Sequence, residues 1–180
     1  MRRFASSSIL CLVVAITLAA AGVTVDFDKS ADFSKFKTYA WKEGTPARNP
    51  LNEERVHKAI EAQLAAKGLT PKDGEADCYI YSHVKTDKSQ QVSVDSFGYG
   101  GYYGWSGWGG GWGTTTVNVQ NVIEGTLIVD LVDAGTKQLA WRGLATKTMY
   151  PDTKAEKIEK AINKAVTKMF EDFPPTPKKK

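Results

Sequence analysis

Apolar and polar residues alternate without a break from Val23 through Thr24, Val25 and Asp26 to Phe27, and this period of two predicts a half-buried strand. A turn-rich stretch, Asp28 to Ser34, leads to a second predicted strand, Phe36 to Trp41, with Lys37, Tyr39 and Trp41 on one face. Gly44 to Arg48 reads as a loop. Asn49 and Pro50 then open a helix, because Asn can accept from the free N–H groups of a first turn and Pro is tolerated there. The helix runs to about Lys67, with Val56, Ala59, Ile60 and Leu64 as its apolar stripe and Glu53, Glu54, Lys58 and Glu61 around the rest. Gly68 followed by Leu69 predicts a left-handed stop and a hydrophobic cap.

Alternation resumes from Cys78 to Val84, with Cys78, Ile80 and Val84 on one side and Tyr79, Tyr81 and His83 on the other. Gln91 to Phe97 continues in strand-like fashion. Thr114 to Val119, Gly125 to Val132 and Gln138 to Met149 are rich in β-branched residues and are predicted as three further strands. The last two are joined by Asp133 to Lys137, a hairpin-length loop in which Gly135 can supply positive φ, so they pair antiparallel. Gly143, after Trp141 and Arg142, marks a bulge or a close backbone approach. A closing helix begins after Pro151, capped by Asp152 or by Thr153 in a capping box with Glu156. Its stripe is Ala155, Ile158, Ile162, Ala165 and Met169, extended by Phe170 and Phe173, and Pro174 and Pro175 end it. The order of elements predicts an α+β fold of two layers: a mainly antiparallel sheet with two helices packed on one face.

The first residues change the picture from a fold to a destination. Arg2 and Arg3, the apolar run Ile9 to Leu18, and the small residues Ala19, Ala20, Ala21 and Gly22 have the order of a secretion signal. The run is well short of the roughly 20 apolar residues that cross a bilayer, so cleavage after Ala21 is expected rather than anchoring by a transmembrane helix. Residues 1–21 are thus read as a signal peptide, 22–175 as one domain and 176–180 as a basic tail. Cys11 lies inside the apolar run, and Gly22 occupies the first mature position where lipid attachment needs cysteine. Lipid anchoring is therefore disfavoured, and a periplasmic or secreted product is expected.

Composition then removes several classes of function. The formal charge of +4 falls to +2 when Arg2 and Arg3 are lost, and three of the remaining positive charges sit together in Lys178, Lys179 and Lys180, which argues against nucleic acid. Cys78 is the only cysteine after cleavage, so no internal disulfide can form, and its place in an apolar strand pattern predicts a buried thiol. His57, His83 and Cys78 lack metal-ligand spacing. Cys78 and His83, five apart on one strand, point to opposite faces and cannot pair as nucleophile and base. Phosphate-binding glycine motifs are absent, and no cofactor is expected. A hydrolase built from Asp130, Asp133 and His83 is the enzymatic alternative, although aspartates at a strand end and turn are more often structural.

Residues 98–113 are what a minimal fold does not require. Glycine there disfavours a self-supporting strand or helix, while Tyr99, Tyr102, Tyr103, Trp105, Trp108 and Trp112 offer large amphipathic faces. No Lys or Arg lies among them, so nucleic-acid stacking and a polybasic membrane contact are disfavoured. A protein or a cell-wall glycan is the expected partner. The plainer alternative is a hairpin tip that folds back over the sheet.

The run Val25-Asp26-Phe27-Asp28, the Phe36-Lys37-Thr38-Tyr39-Ala40-Trp41 strand, Asn49-Pro50-Leu51 before a helix, Gly125-Thr126-Leu127 leading to Asp130, and Trp141-Arg142-Gly143 together resemble the bacterial envelope family called domain of unknown function 4136. The resemblance spans nearly the whole mature chain, including a Gly- and aromatic-rich insertion in the same place. It implies a small exported protein, often classed as a lipoprotein, with no established activity or catalytic residues to carry over. Three expectations follow: a non-enzymatic envelope protein that binds through the aromatic segment, an envelope-polymer hydrolase, or a structural or stress-related protein without a discrete ligand.

Overall fold

The computed structural model describes residues 22–97 and 114–175. The expected signal peptide, the aromatic insertion and the basic tail lie outside these residues. The elements among them are β1 (Gly22–Phe27), β2 (Thr38–Trp41), α1 (Pro50–Ala66), β3 (Thr70–Pro71), β4 (Cys78–Phe97), β5 (Thr114–Asp133), β6 (Leu139–Met149) and α2 (Ala155–Met169), with a 3-10 turn at Phe33–Lys35. One six-stranded sheet runs in the order β1-β6-β5-β4-β2-β3, and both helices pack against it, making the fold α+β. The sheet is mixed: β2 runs parallel to β3 and β4, because the chain crosses over through α1 between them, and the other pairs are antiparallel.

Four strand segments read separately in the sequence are two strands. β4 and β5 pair residue for residue from Cys78 opposite Asp133 to Phe97 opposite Thr114. The polar stretches Lys85–Gln91 and Gln120–Asn121 interrupt the apolar pattern without interrupting the ladder, since the hydrogen bonds of an antiparallel pair are made by backbone. β3 has only two residues, too short to leave a periodic signal.

The register sorts side chains by face. Tyr39 and Trp41 of β2, Cys78, Ile80 and Ser82 of β4, Leu127, Val129 and Leu131 of β5, and Trp141 and Ala145 of β6 share the helix-covered face. Ile60 and Leu64 of α1, Val166 and Met169 of α2 and Phe170 just after it complete the core. At one corner Trp141 lies 4.8 Å from Phe170 between ring centroids, and Phe173 packs edge-on to Trp141 and Phe33. Gly143 marks a close approach: a Cβ there would sit 2.7 Å from the Trp141 ring and 3.0 Å from Met169 Sδ. The bulge lies elsewhere, between Leu131 and Val132, opposite which β6 carries the extra Ala140.

The helix starts differ. Asn49 Oδ1 accepts from Leu51 N–H at 3.0 Å, as expected, and α1 ends at Gly68 with φ of 83° and Leu69 buried. The predicted capping box on α2 does not form. Lys154 takes the cap position, and the Thr153 hydroxyl instead accepts from Tyr150 N–H at 3.0 Å, closing the turn before the helix. The apolar stripe of α2 is displaced as well: Ala155 is exposed, Ile158 and Ile162 are half-buried, and Val166, outside the predicted stripe, is fully buried. In the β5–β6 hairpin positive φ falls on Lys137 rather than Gly135. Asp133 holds that turn by accepting from Gly135 and Thr136 N–H.

Candidate functional site

The residues weighed for hydrolysis do not form one site. Asp130 and Asp133 are three apart on β5 and point to opposite faces. Asp133 accepts from the Lys35 ammonium, and this bond, reinforced by the Gly135 and Thr136 N–H groups, holds its carboxyl below the usual carboxylate range against the opposing effect of burial. Asp130, on the uncovered face, is clamped by both Nε and a terminal nitrogen of Arg142, each at 2.6 Å; the same bond raises the Arg142 pKa. His83 shares that uncovered face, where its Nδ1 lies 3.1 Å from Thr45 N and 3.0 Å from the Thr45 hydroxyl. Each group is occupied by a structural partner, and the hydrolase built from these three is not assembled.

A second cluster escaped sequence reading because its members are far apart in the chain. His57 of α1 stacks on Trp41 at 4.2 Å, its Nε2 lies 2.9 Å from Glu53, and the Ser82 hydroxyl stands 3.5 Å from that same nitrogen. A nucleophile, base and orienting acid need serine and carboxylate on opposite ring nitrogens, with the base free to take the serine proton. Here both approach Nε2, and Ser82 is buried, so the cluster ties α1 to β2 and β4 instead. Cys78 is fully buried and free, and burial first, then the Asp77 and Asp133 charges, pushes its pKa up to about 12. This is the buried thiol expected from its position. Among the described residues no group of three or more His, Cys, Asp or Glu could hold a metal, and no helix is long and apolar enough to cross a membrane.

The feature that stands out is the length of β4 and β5. β6 begins to pair with β5 only at Ile123, and β2 pairs with β4 only over Cys78–Ile80. Beyond that point, from Ser89 opposite Val122 to Phe97 opposite Thr114, the two strands therefore form a two-stranded ribbon, extending about 30 Å at ~3.3 Å per residue. Val92 and Val119 are directly opposed on one side of it and are 58% and 53% exposed; Val117 is 57% exposed. The chain leaves at Phe97 and returns at its paired neighbour Thr114. Tyr99, Tyr102, Tyr103, Trp105, Trp108 and Trp112, the expected partner-binding residues, belong to the segment between them and lie outside the described residues.

No curated protein matches the sequence. Among solved structures, a PDZ domain protein from Parabacteroides distasonis is similar over 87% of this chain at 15% identity with a TM-score of 0.57; the chain spans 36% of that protein's length. The PelC dodecamer from Paraburkholderia phytofirmans is similar over 83% of this chain and 94% of its own at 12% identity and a TM-score of 0.46. A minor lipoprotein from Acinetobacter baumannii is similar over 76% of this chain and 91% of its own at 10% identity and a TM-score of 0.36. The first of these likenesses concerns the fold alone. The sequence itself carries the family: residues 23–175, which take in the strand of Tyr39 and Trp41, the Asn49-capped helix and the Trp141-Arg142-Gly143 stretch, match the domain of unknown function DUF4136, and the chain belongs to that family.

Proposed function

We propose that this protein is an exported, non-enzymatic binding protein of the bacterial envelope, which presents Tyr99, Tyr102, Tyr103, Trp105, Trp108 and Trp112 to a protein or cell-wall glycan. The observation that carries the reading is the two-stranded ribbon. A sheet that only had to close a core would end its strands near Thr86 and Gly125, yet β4 and β5 continue for about ten residues each before the aromatic segment begins. The ribbon is sparingly charged and the segment carries no charge at all, a composition suited to stacking and apolar contact rather than to ion pairing. The signal-like leader supports export, and the first mature residue Gly22 supports a product free of lipid.

The test is site-specific photo-crosslinking in cells from positions 105 and 108, with Lys160 on the exposed side of α2 as control, together with co-sedimentation of the purified protein with cell-wall sacculi. Discrete adducts from positions 105 and 108 alone, or sedimentation lost when 98–113 is replaced by a Gly-Ser linker, is the expected result. Absence of both adducts and sedimentation would overturn the reading and favour a structural protein without a discrete ligand.

A further inference from the structure

The helical layer covers the sheet unevenly. The C-terminal half of α2 buries Ala165, Val166 and Met169, with Phe170 buried just beyond it, but toward its N-terminus Ile158 and Ile162 remain half-buried. Beneath them a cleft of about 250 Å³ opens between the start of α1, the first turns of α2 and strands β4, β5 and β6. Small residues create the space, Gly125 and Ala145 from the sheet and Ala161 and Ala165 from α2, while Val84, Leu127, Ile158 and Ile162 give it apolar walls. A smaller apolar cavity, of about 150 Å³, is enough to bind benzene in another protein.

The charge around the cleft has one sign. Arg48 and Lys147 are the charged residues that line it, both exposed, and no acidic side chain joins them. Neither cation takes part in an ion pair among the described residues, although Arg55, close by on α1, is engaged by Asn52 and Glu159. An apolar wall with unpaired cations beside it complements a molecule that carries its own apolar body and negative end.

We propose that this cleft binds a single-chain amphiphile with an anionic head group, the alkyl chain lying against Val84, Leu127, Ile158 and Ile162 and the head between Arg48 and Lys147. A fatty carboxylate and a lysophospholipid share that chemistry. The proposal stands apart from the aromatic segment, whose ribbon leads away from the body of the fold.

Isothermal titration of the mature protein with dodecanoate, below its micelle threshold, tests it against dodecyltrimethylammonium, which has the same chain and the opposite charge. Saturable binding of one dodecanoate per protein is expected, with the cationic analogue at least tenfold weaker. Lysophosphatidylglycerol bearing the same acyl chain distinguishes the source: tighter binding than dodecanoate assigns a phosphodiester head, weaker binding a carboxylate. The double variant Arg48→Glu/Lys147→Glu should weaken dodecanoate at least tenfold with an unchanged thermal melt, and Ala161→Phe should remove binding by filling the cleft. Ala161→Leu serves the same purpose if the larger side chain prevents folding. Lack of saturable binding, equal affinity for the two head charges, or wild-type binding by the double charge variant would overturn the proposal.

Discussion

The same alternation of apolar and polar residues serves two ends in this molecule. In the body of the sheet, Ile80, Val129, Leu131 and Trp141 disappear beneath α1 and α2, and the turns and caps around them are held by specific bonds such as Asn49 to Leu51 and Asp133 to Gly135. In the ribbon, Val92, Val117 and Val119 follow the same period of two but remain more than half exposed, because no helix reaches them. Period thus specifies strand and face, whereas burial depends on what the chain places over that face. Stability should reside in the first region and tolerate change in the second.

The largest contrast is expected at Trp141, which is 1% exposed among Phe170, Phe173 and Met169. Trp141→Ala should lose about 3–5 kcal/mol in a denaturant melt. A loss below about 1 kcal/mol would mean that the aromatic corner is not the anchor of the fold.

A smaller effect is expected at Asp133, where the sheet end meets the Lys35 ammonium. Asp133→Ala should cost about 1–3 kcal/mol by leaving the turn N–H groups and Lys35 without their acceptor. The folded pKa of Asp133 is lowered, so its contribution is fully present above the unfolded carboxylate value of about 3.9 and is lost as pH falls through the folded value. Melts from pH 7 down to pH 2 should therefore show the gap between wild type and Asp133→Asn narrowing only below about pH 4. A gap that stays constant through that range would remove the ionic part of the account.

The smallest effect sharpens the comparison most. Val119→Thr keeps the β-branched shape and should change stability by less than about 0.5 kcal/mol, since the side chain is 53% exposed. A loss comparable to a core substitution, read in the same melt, would show that the ribbon is covered in solution.

Much of the body was legible because its signals are local. Asn49-Pro50 and Gly68-Leu69 bracket α1 through backbone chemistry within a few residues, and the alternation around Cys78 and Ile80 reports a face that is in fact buried. The capping box at Thr153 failed because a competing acceptor role, closing the Tyr150 turn, left its hydroxyl unavailable to the helix. Continuity of β4 and β5 was hidden by polar residues whose backbones pair regardless of side chain. The cleft under Ile158 and Ile162, and the stack of Trp41 on His57, arise from residues brought together across the chain, which no window of sequence contains.

Trp141, Arg142 and Gly143 are three neighbours that face in, out and in. The indole is seated over the space that a side chain at Gly143 would fill, while Arg142 grips Asp130 on the opposite surface. A slip of β6 by one residue would drive a guanidinium into the aromatic corner and turn the indole toward water, and both errors would occur at once. The triplet therefore ties the native register of β6 to both surfaces of the sheet at once, so that no one-residue shift satisfies either side.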